Sequence, residues 1–241
     1  MSEYLIKCKE DIELLLEDKT PDFLLKKEKE VEALFQAYQK KESKREIFNG
    51  PVLVCKKDDS LSWTCFFSEY QYVIAQRIKP ELFEEKFYSL AVTGIGFWRQ
   101  NILLGKRSQE VYEERGLYEM LPSGAIDTSC LKDGRIEYFK QILQEIEEEA
   151  GVNPKFIENL ETKGLIVNEE KYLIDLIVQF EVEKSFDVFK NKKTDGEYID
   201  LLYLSEKEFN DFFINNVEEL SSTLKLIALE ILNVNLLGAE S

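Results

Sequence analysis

The 241-residue chain contains no histidine. That absence excludes a Ser-His-Asp or Cys-His nucleophilic system, zinc held by imidazole, and imidazole acid-base catalysis in one step. Any enzyme built from this chain must move protons with carboxylates or lysines and hold a metal through oxygen. The four cysteines, Cys8, Cys55, Cys65 and Cys130, form no CxxC pair. A chain of this length needs no disulfide staples, so free thiols in a reducing compartment are expected. No segment approaches the roughly 20 apolar residues that span a bilayer. The opening, MSEYLIKCKEDIELLLEDK, interrupts its apolar stretch with acids and does not read as a signal peptide. Internal repeats and low-complexity segments are also lacking. The expectation is a cytoplasmic protein with no membrane partner.

Acid, by contrast, is abundant: 47 Asp and Glu against 31 Lys and Arg give a net charge of -16. Such a surface repels DNA, RNA and anionic lipid, whose binding is carried by Lys and Arg, so no nucleic-acid partner is expected. A small phosphorylated substrate meets the same repulsion. A site for one needs a bound metal or a local basic patch.

Residues 3–45 carry apolar positions at helical spacing, among them Leu24, Leu25, Val31, Leu34 and Phe35, which predicts two helices broken near Thr20-Pro21. After the turn signal Asn49-Gly50-Pro51, the runs PVLVC, LSWTCFF and YQYVIAQ are β-branched and aromatic and predict a small sheet. A second strand-rich block, FYSLAVTGIGFW and NILLGKRS, reads as a long hairpin. A loop through Asp133-Gly134 leads to an amphipathic helix over about 137–150. YLIDLIVQFEVE and YIDLLYLS then read as strands, and the segments around EKEFNDFF and SSTLKLIALEILNV as helices. The alternation predicts an α/β layer fold, with residues 1–85 as an amino-terminal helical lobe plus small β segment and 86–241 as the main domain.

Within the helix at 137–150, Phe139, Ile142, Leu143, Ile146 and Ala150 fall within an arc of about 100° that faces a core. Glu145, Glu148 and Glu149 share the adjacent arc, with Glu137 near its edge. Like charges three and four apart destabilise a helix by a few tenths of a kcal/mol per pair. A hard divalent cation removes that penalty, since Mg²⁺ and Mn²⁺ bind oxygen ligands and bridge carboxylates to phosphates. A solvated acidic face is the competing reading of the triplet alone.

The segment from Pro122-Ser123-Gly124 through QEIEEEAGV resembles the Nudix hydrolase box, G-x5-E-x7-R-E-U-x-E-E-x-G-U, where U is aliphatic. Glu145, Ile146, Glu148, Glu149, Gly151 and Val152 match its second half in spacing, and Gly124 resembles its opening glycine. The upstream LAVTGIGFWRQNILLGKRS is similar to the strands that precede this box. The resemblance implies a mixed β-sheet sandwiched between helices, here with an amino-terminal helical and β extension. It also implies Mg²⁺ or Mn²⁺ held by Glu145, Glu148, Glu149 and the Ser123 carbonyl, and Gly124 at the substrate. The implied reaction is hydrolysis of a nucleoside diphosphate linked to a group X, releasing a nucleoside monophosphate. Glu145 and Glu197 are the candidate general bases. Arg107 is a candidate phosphate contact, with a strand-end ion pair as its plainer role. PSGAID and the front segment resemble enzymes of ADP-ribose and nucleotide sugars, so the expected partner is a small nucleotide, and a homodimer is expected on family resemblance alone. Two departures stand out: Gln144 replaces the motif Arg, and the first motif Glu has no counterpart at its spacing, where Ile136 falls, with Glu137 one place later. These keep open a catalytically weak nucleotide-binding or regulatory module, and a third reading in which the amino-terminal lobe mediates self-association.

Overall fold

The computed structural model describes residues 3–8, 11–17, 19–42, 47, 49–56, 62–111, 113–187 and 196–234. The first half of the chain forms β1 (Glu3–Lys7), β2 (Glu13–Leu16), α1 (Asp22–Leu25), α2 (Glu28–Glu42), β3 (Pro51–Cys55), β4 (Ser62–Glu69), α3 (Tyr70–Ile78), β5 (Tyr88–Trp98) and β6 (Asn101–Arg107). The second half forms β7 (Tyr118–Met120), β8 (Ser123–Ala125), β9 (Leu131–Lys132), β10 (Arg135–Ile136), α4 (Tyr138–Ala150), β11 (Ile157–Asn168), β12 (Leu173–Val182), β13 (Tyr198–Leu204), α5 (Glu206–Asn215) and α6 (Ser222–Glu230).

Strand β5 organises the sheet. Its sequence, YSLAVTGIGFW, is buried at all but one position, as a central strand covered on both faces must be. Along one edge it runs parallel to β12, from Ser89 beside Leu173 to Trp98 beside Val182. The other edge is shared by three partners: β3 at Tyr88 and Ser89, β8 at Ala91 to Thr93, and β6 at Phe97 and Trp98. The hydrogen-bonded path then runs β1-β11-β12-β5-β3-β4-β2-β10-β9, with β7 and β13 paired to β6.

Alternate residues of β5 and β12 point to opposite faces and select opposite helices. Leu90, Val92, Ile174 and Leu176 join Ile142, Ile146 and Ala150 of α4 in one core cluster. Ile95 and Ile177 join Phe209 and Phe213 of α5 and Leu224 and Ile227 of α6 in another. Each fully buried Ile or Leu contributes about 1.5–3 kcal/mol. A mixed sheet with helices on both faces is the layer arrangement expected from the sequence. The helices α2 and α3 pack on their own cluster with β3 and β4, where Val31, Val73, Phe66 and Phe87 are buried. Gln76 of α3 is fully buried and satisfied: its amide donates to the Phe87 carbonyl at 2.7 Å and accepts from the Phe87 amide at 3.2 Å.

Four segments differ from the expectation. Residues 3–7 and 13–16 are strands rather than part of a helix. β1 lies antiparallel on β11, Glu3 beside Asn168 through Lys7 beside Gly164, and closes one edge of the sheet. Local helical spacing lost to a partner strand about 160 residues away, an override that tertiary pairing imposes on propensity. YQYVIAQRI forms α3, in which five consecutive residues from Tyr72 to Gln76 are buried; a helix apolar on most sides has no periodicity to distinguish it from a buried strand. The β5–β6 hairpin is real only at its turn, because β6 leaves β5 after Ile102 and pairs with β13 along most of its length.

Candidate functional site

Glycine 151, in the left-handed conformation with φ 66°, ends α4, and its amide donates to the Glu147 carbonyl at 3.1 Å. That stop fixes the last turn of α4, and the three motif glutamates with it, beside β8. Glu149 is 1% exposed, and its Oε2 accepts a hydrogen bond from the Ser123 amide at 3.1 Å. The Glu145 carboxylate lies against Gly124, where an added Cβ would collide with it, so the glycine is required by close approach rather than by backbone conformation. Glu145 Oε1 also accepts from the Gln141 side-chain amide at 2.7 Å.

These two carboxyls are crowded with negative charge. Burial pushes Glu145 up to about 7, with Glu148, Glu197 and Asp127 adding to the rise. Burial likewise raises Glu149 well above the usual carboxylate range, with Glu145, Glu119 and Glu197 adding to it. Glu148 lies on the exposed side of the helix. The structure thus brings Glu145, Glu149, Ser123 and Gly124 together, while Glu148 stands outside the buried group.

The departures from the motif have visible replacements. Gln144 accepts a hydrogen bond from Ser129 Oγ at 2.8 Å and ties the preceding loop to α4 instead of pairing with a glutamate. Gln141 does the same from the next turn, accepting from the Asp127 amide at 3.3 Å and from Cys130 Sγ at 3.2 Å. Ile136 is a core residue of β10, and Glu137 precedes α4 without a side-chain cap bond and makes a surface ion pair to Lys132 at 3.1 Å. Neither supplies a carboxylate to the group at Ser123.

Arg107, at the end of β6, lies 2.5 Å from Glu119 and 3.9 Å from Glu197. It is thus paired with a buried acid, Glu119, as well as with an exposed one, Glu197. Glu119 also accepts from Tyr198 Oη at 2.5 Å, and burial raises its carboxyl despite both partners. Sequence reasoning missed Glu119, Tyr198 and Asp175. The available signal was a lone acid inside each of the apolar strands YEM and LIDLIVQF.

A cleft of about 160 Å³ adjoins this group, walled by Arg107, Glu119, Ser123, Gly124, Lys171 and Asp175; Glu145, Glu148 and Glu149 do not line it. Lys171 at its rim pairs with Glu113 and Glu114, both at 3.2 Å, and Glu113 also pairs with Arg77 of α3 at 2.9 Å. A larger groove of about 1380 Å³ lies between the β5–β6 turn, the end of β12 and the start of α5. It contains none of the motif residues. Among the described residues, no three Cys, Asp or Glu side chains converge as a ready metal cage. The donor set still fits a hard divalent cation: it is all oxygen, two of its carboxyls are held above their ordinary range by burial and mutual repulsion, and a cation removes that repulsion.

No protein-family model and no curated protein matches the chain. Among solved structures, Tm1382, described as a provisional Nudix hydrolase, is similar over 77% of this chain and 100% of its own, at 15% identity and a TM-score of 0.54. A bifunctional NMN adenylyltransferase/ADP ribose pyrophosphatase from Francisella tularensis, complexed with AMP and a Mn ion, matches 67% of this chain and 46% of its own at 14% identity and a TM-score of 0.47. An ADP-ribose pyrophosphatase from Streptococcus suis matches 49% of this chain and 74% of its own at 16% identity and a TM-score of 0.34. The last two scores are too low to carry weight. The chain has the Nudix fold.

Proposed function

We propose that this chain is a divalent-metal-dependent pyrophosphohydrolase that splits a nucleoside diphosphate linked to X, of the nucleotide-sugar or ADP-ribose type, and releases a nucleoside monophosphate. The observation that carries the reading is the convergence of Glu145 and Glu149 on the Ser123-Gly124 strand at the wall of a cleft. Glu145, Glu149, Glu148 and the Ser123 carbonyl would hold Mg²⁺ or Mn²⁺, which when bound polarises the diphosphate and lowers the pKa of water.

The chain's own residues account for the remaining needs. Arg107 and Lys171 are the cations of the cleft wall, each already paired with acids, so a bound metal would carry most of the neutralisation that a phosphorylated substrate needs. Glu119 and Tyr198 orient Arg107 at the end of β6. Proton removal from the attacking water falls to Glu145 or to Glu197, whose charge, from the segment before β13, adds to the rise at Glu145 and Glu149. Residues 86–241 hold this machinery, with residues 1–85 as an extension whose strands join the same sheet.

One observation favours a second reading, a nucleotide-binding module with weak or no turnover: Gln144 is committed to Ser129 and Glu148 faces outward. The deciding experiment incubates the protein with ADP-ribose, nucleoside diphosphate sugars and nucleoside triphosphates, with Mg²⁺ or Mn²⁺, and resolves the products by chromatography. Metal-dependent release of a nucleoside monophosphate from one class supports the enzyme. No product from any of them, with ligand-dependent thermal stabilisation, rejects it in favour of the binding module.

A further inference from the structure

Asp175 of β12 is 6% exposed and lines the cleft on the sheet face opposite α4. Thr93 Oγ1 lies 3.5 Å from its Oδ1, beyond the roughly 2.5–3.0 Å of an O–H···O hydrogen bond. Its Oδ2 accepts no hydrogen bond among the described residues and is not one of their fully occluded atoms, so it is open to the cleft. A buried carboxyl costs free energy unless its oxygens are used, and here that capacity is unspent. Register shows what stands beside it. Asp175 pairs with Ile166 of β11 and Ile166 with Leu5 of β1; two residues along the same strands, Asn168 pairs with Glu3. Side chains two apart share a sheet face, so Asp175, Asn168 and Glu3 project together into the cleft. Glu3 accepts one bond, from Asn168 Nδ2 at 3.4 Å, and like Asp175 makes no ion pair among the described residues.

The nearby cations are spent on other acids: Arg107 on Glu119 and Glu197, Lys171 on Glu113 and Glu114, and Arg77 on Glu113. Asp175 and Glu3 are left uncompensated. Burial pushes Asp175 up to about 7, with Glu114, Glu3 and Glu119 adding to the rise and Lys171 opposing it. A positive ligand would relieve this crowding, and the spacing says which kind. No three acids converge as a metal cage among the described residues, and Asp175 and Glu3 stand two strands apart, about 10 Å. Two separated carboxyls match two ammonium groups on one chain rather than a single ion. Ala91, Ala125, Met120 and Leu173 line the same cleft and offer apolar surface to methylenes between those groups. At about 160 Å³, close to the roughly 150 Å³ cavity that holds benzene, there is room for about six or seven heavy atoms. We infer that the cleft binds a short linear diammonium ion, an α,ω-diaminoalkane of about four or five carbons, with one end on Asp175 and the other on Glu3. The site does not rest on the pyrophosphohydrolase reading. It occupies the β1–β12 end of the cleft, whereas Ser123 and Gly124 stand across β5 on β8.

Calorimetric titration of the full chain with 1,4-diaminobutane, at fixed salt and without divalent metal, tests the site directly. The comparison probes are n-butylamine, which has one ammonium group, and Mg²⁺. Wild type is expected to bind the diamine at least about tenfold more tightly than n-butylamine, because a second charged hydrogen bond adds about that factor or more. Asp175→Asn and Glu3→Gln keep the side-chain shapes and remove the charge; each is expected to weaken the diamine at least about tenfold and bring it down to n-butylamine. Glu218→Gln, which removes an exposed acid outside the cleft, leaves binding unchanged. Glu3→Gln, at the edge of the sheet, remains the readout should Asp175→Asn not fold. No binding of the diamine by wild type overturns the inference, as does equal affinity for the two amines. Equal binding in wild type and both cleft variants also overturns it, leaving only the general attraction of a chain with net charge -16. Mg²⁺ binding that both cleft variants abolish, with no diamine binding, makes the site a metal site and overturns it equally.

Discussion

Glu149 carries its carboxylate on one backbone amide, almost out of contact with water, and with Glu145 close enough to raise it further. Replacing it with an isosteric amide separates its two roles. Glu149→Gln is expected to lower kcat by at least about 100-fold, since even partners behind a metal ligand are worth 10–100-fold. Steady-state turnover over a Mg²⁺ series measures the loss, and unchanged turnover would remove Glu149 from the metal site. The same crowding sets a pH dependence. Glu145 shifts from 4.5 to about 7 and Asp175 from 3.8 to about 7, so the folded state holds more protons than the unfolded state between those limits. Their contribution to stability is complete below about pH 4 and is lost as pH rises through about 7. Urea unfolding of the metal-free protein is therefore expected to show a decline in stability between about pH 4 and 7 that Glu145→Gln reduces. A flat profile common to both proteins would count against the burial of these carboxyls.

At the scale of elements, legibility tracked burial. The spacing of Glu145, Ile146, Glu149 and Gly151 on a helix was readable because α4 is amphipathic and its period shows in the sequence. β1 was not readable, because an edge strand with no fully buried residue displays no alternation, and its identity comes from β11. β11 also went unread as a strand, its exposed first half, IENLE, resembling a polar loop. Asp175 and Glu119 were hidden for a different reason: one acid in an apolar strand has meaning only once the neighbouring strands show what it faces. Contact between β1 and β11 depends on Gly164, where a Cβ would stand 2.6 Å from the Ile6 carbonyl oxygen. Gly164→Val is thus expected to cost about 1–3 kcal/mol by pushing β1 off its partner. Hydrogen exchange would show lost protection confined to residues 3–7 and their partners in β11. Uniform loss across the sheet would refute so local a role.

Over the whole molecule, the net charge of -16 makes the cleft's few cations matter. Arg77 of α3, Glu113 and Lys171 link the amino-terminal helices to the cleft rim through ion pairs of 2.9 and 3.2 Å. A divalent cation that binds only the folded chain stabilises it by mass action, by about 2.7 kcal/mol at 100 times its Kd. Mg²⁺ is expected to raise the melting temperature of wild type and to leave that of Glu149→Gln nearly unchanged. Calorimetric scans with and without the ion measure both, and an equal rise in the two proteins would place the cation elsewhere. Among the described residues no helix is long and apolar enough to cross a membrane.

Glu3 of β1 and Thr223 at the start of α6 both wall the cleft. During synthesis, β1 emerges long before its partner β11 exists, and α6 leaves the ribosome last among the described elements. The cleft therefore draws its walls from both ends of the described chain, and contacts of such long sequence separation are of the kind that slow folding.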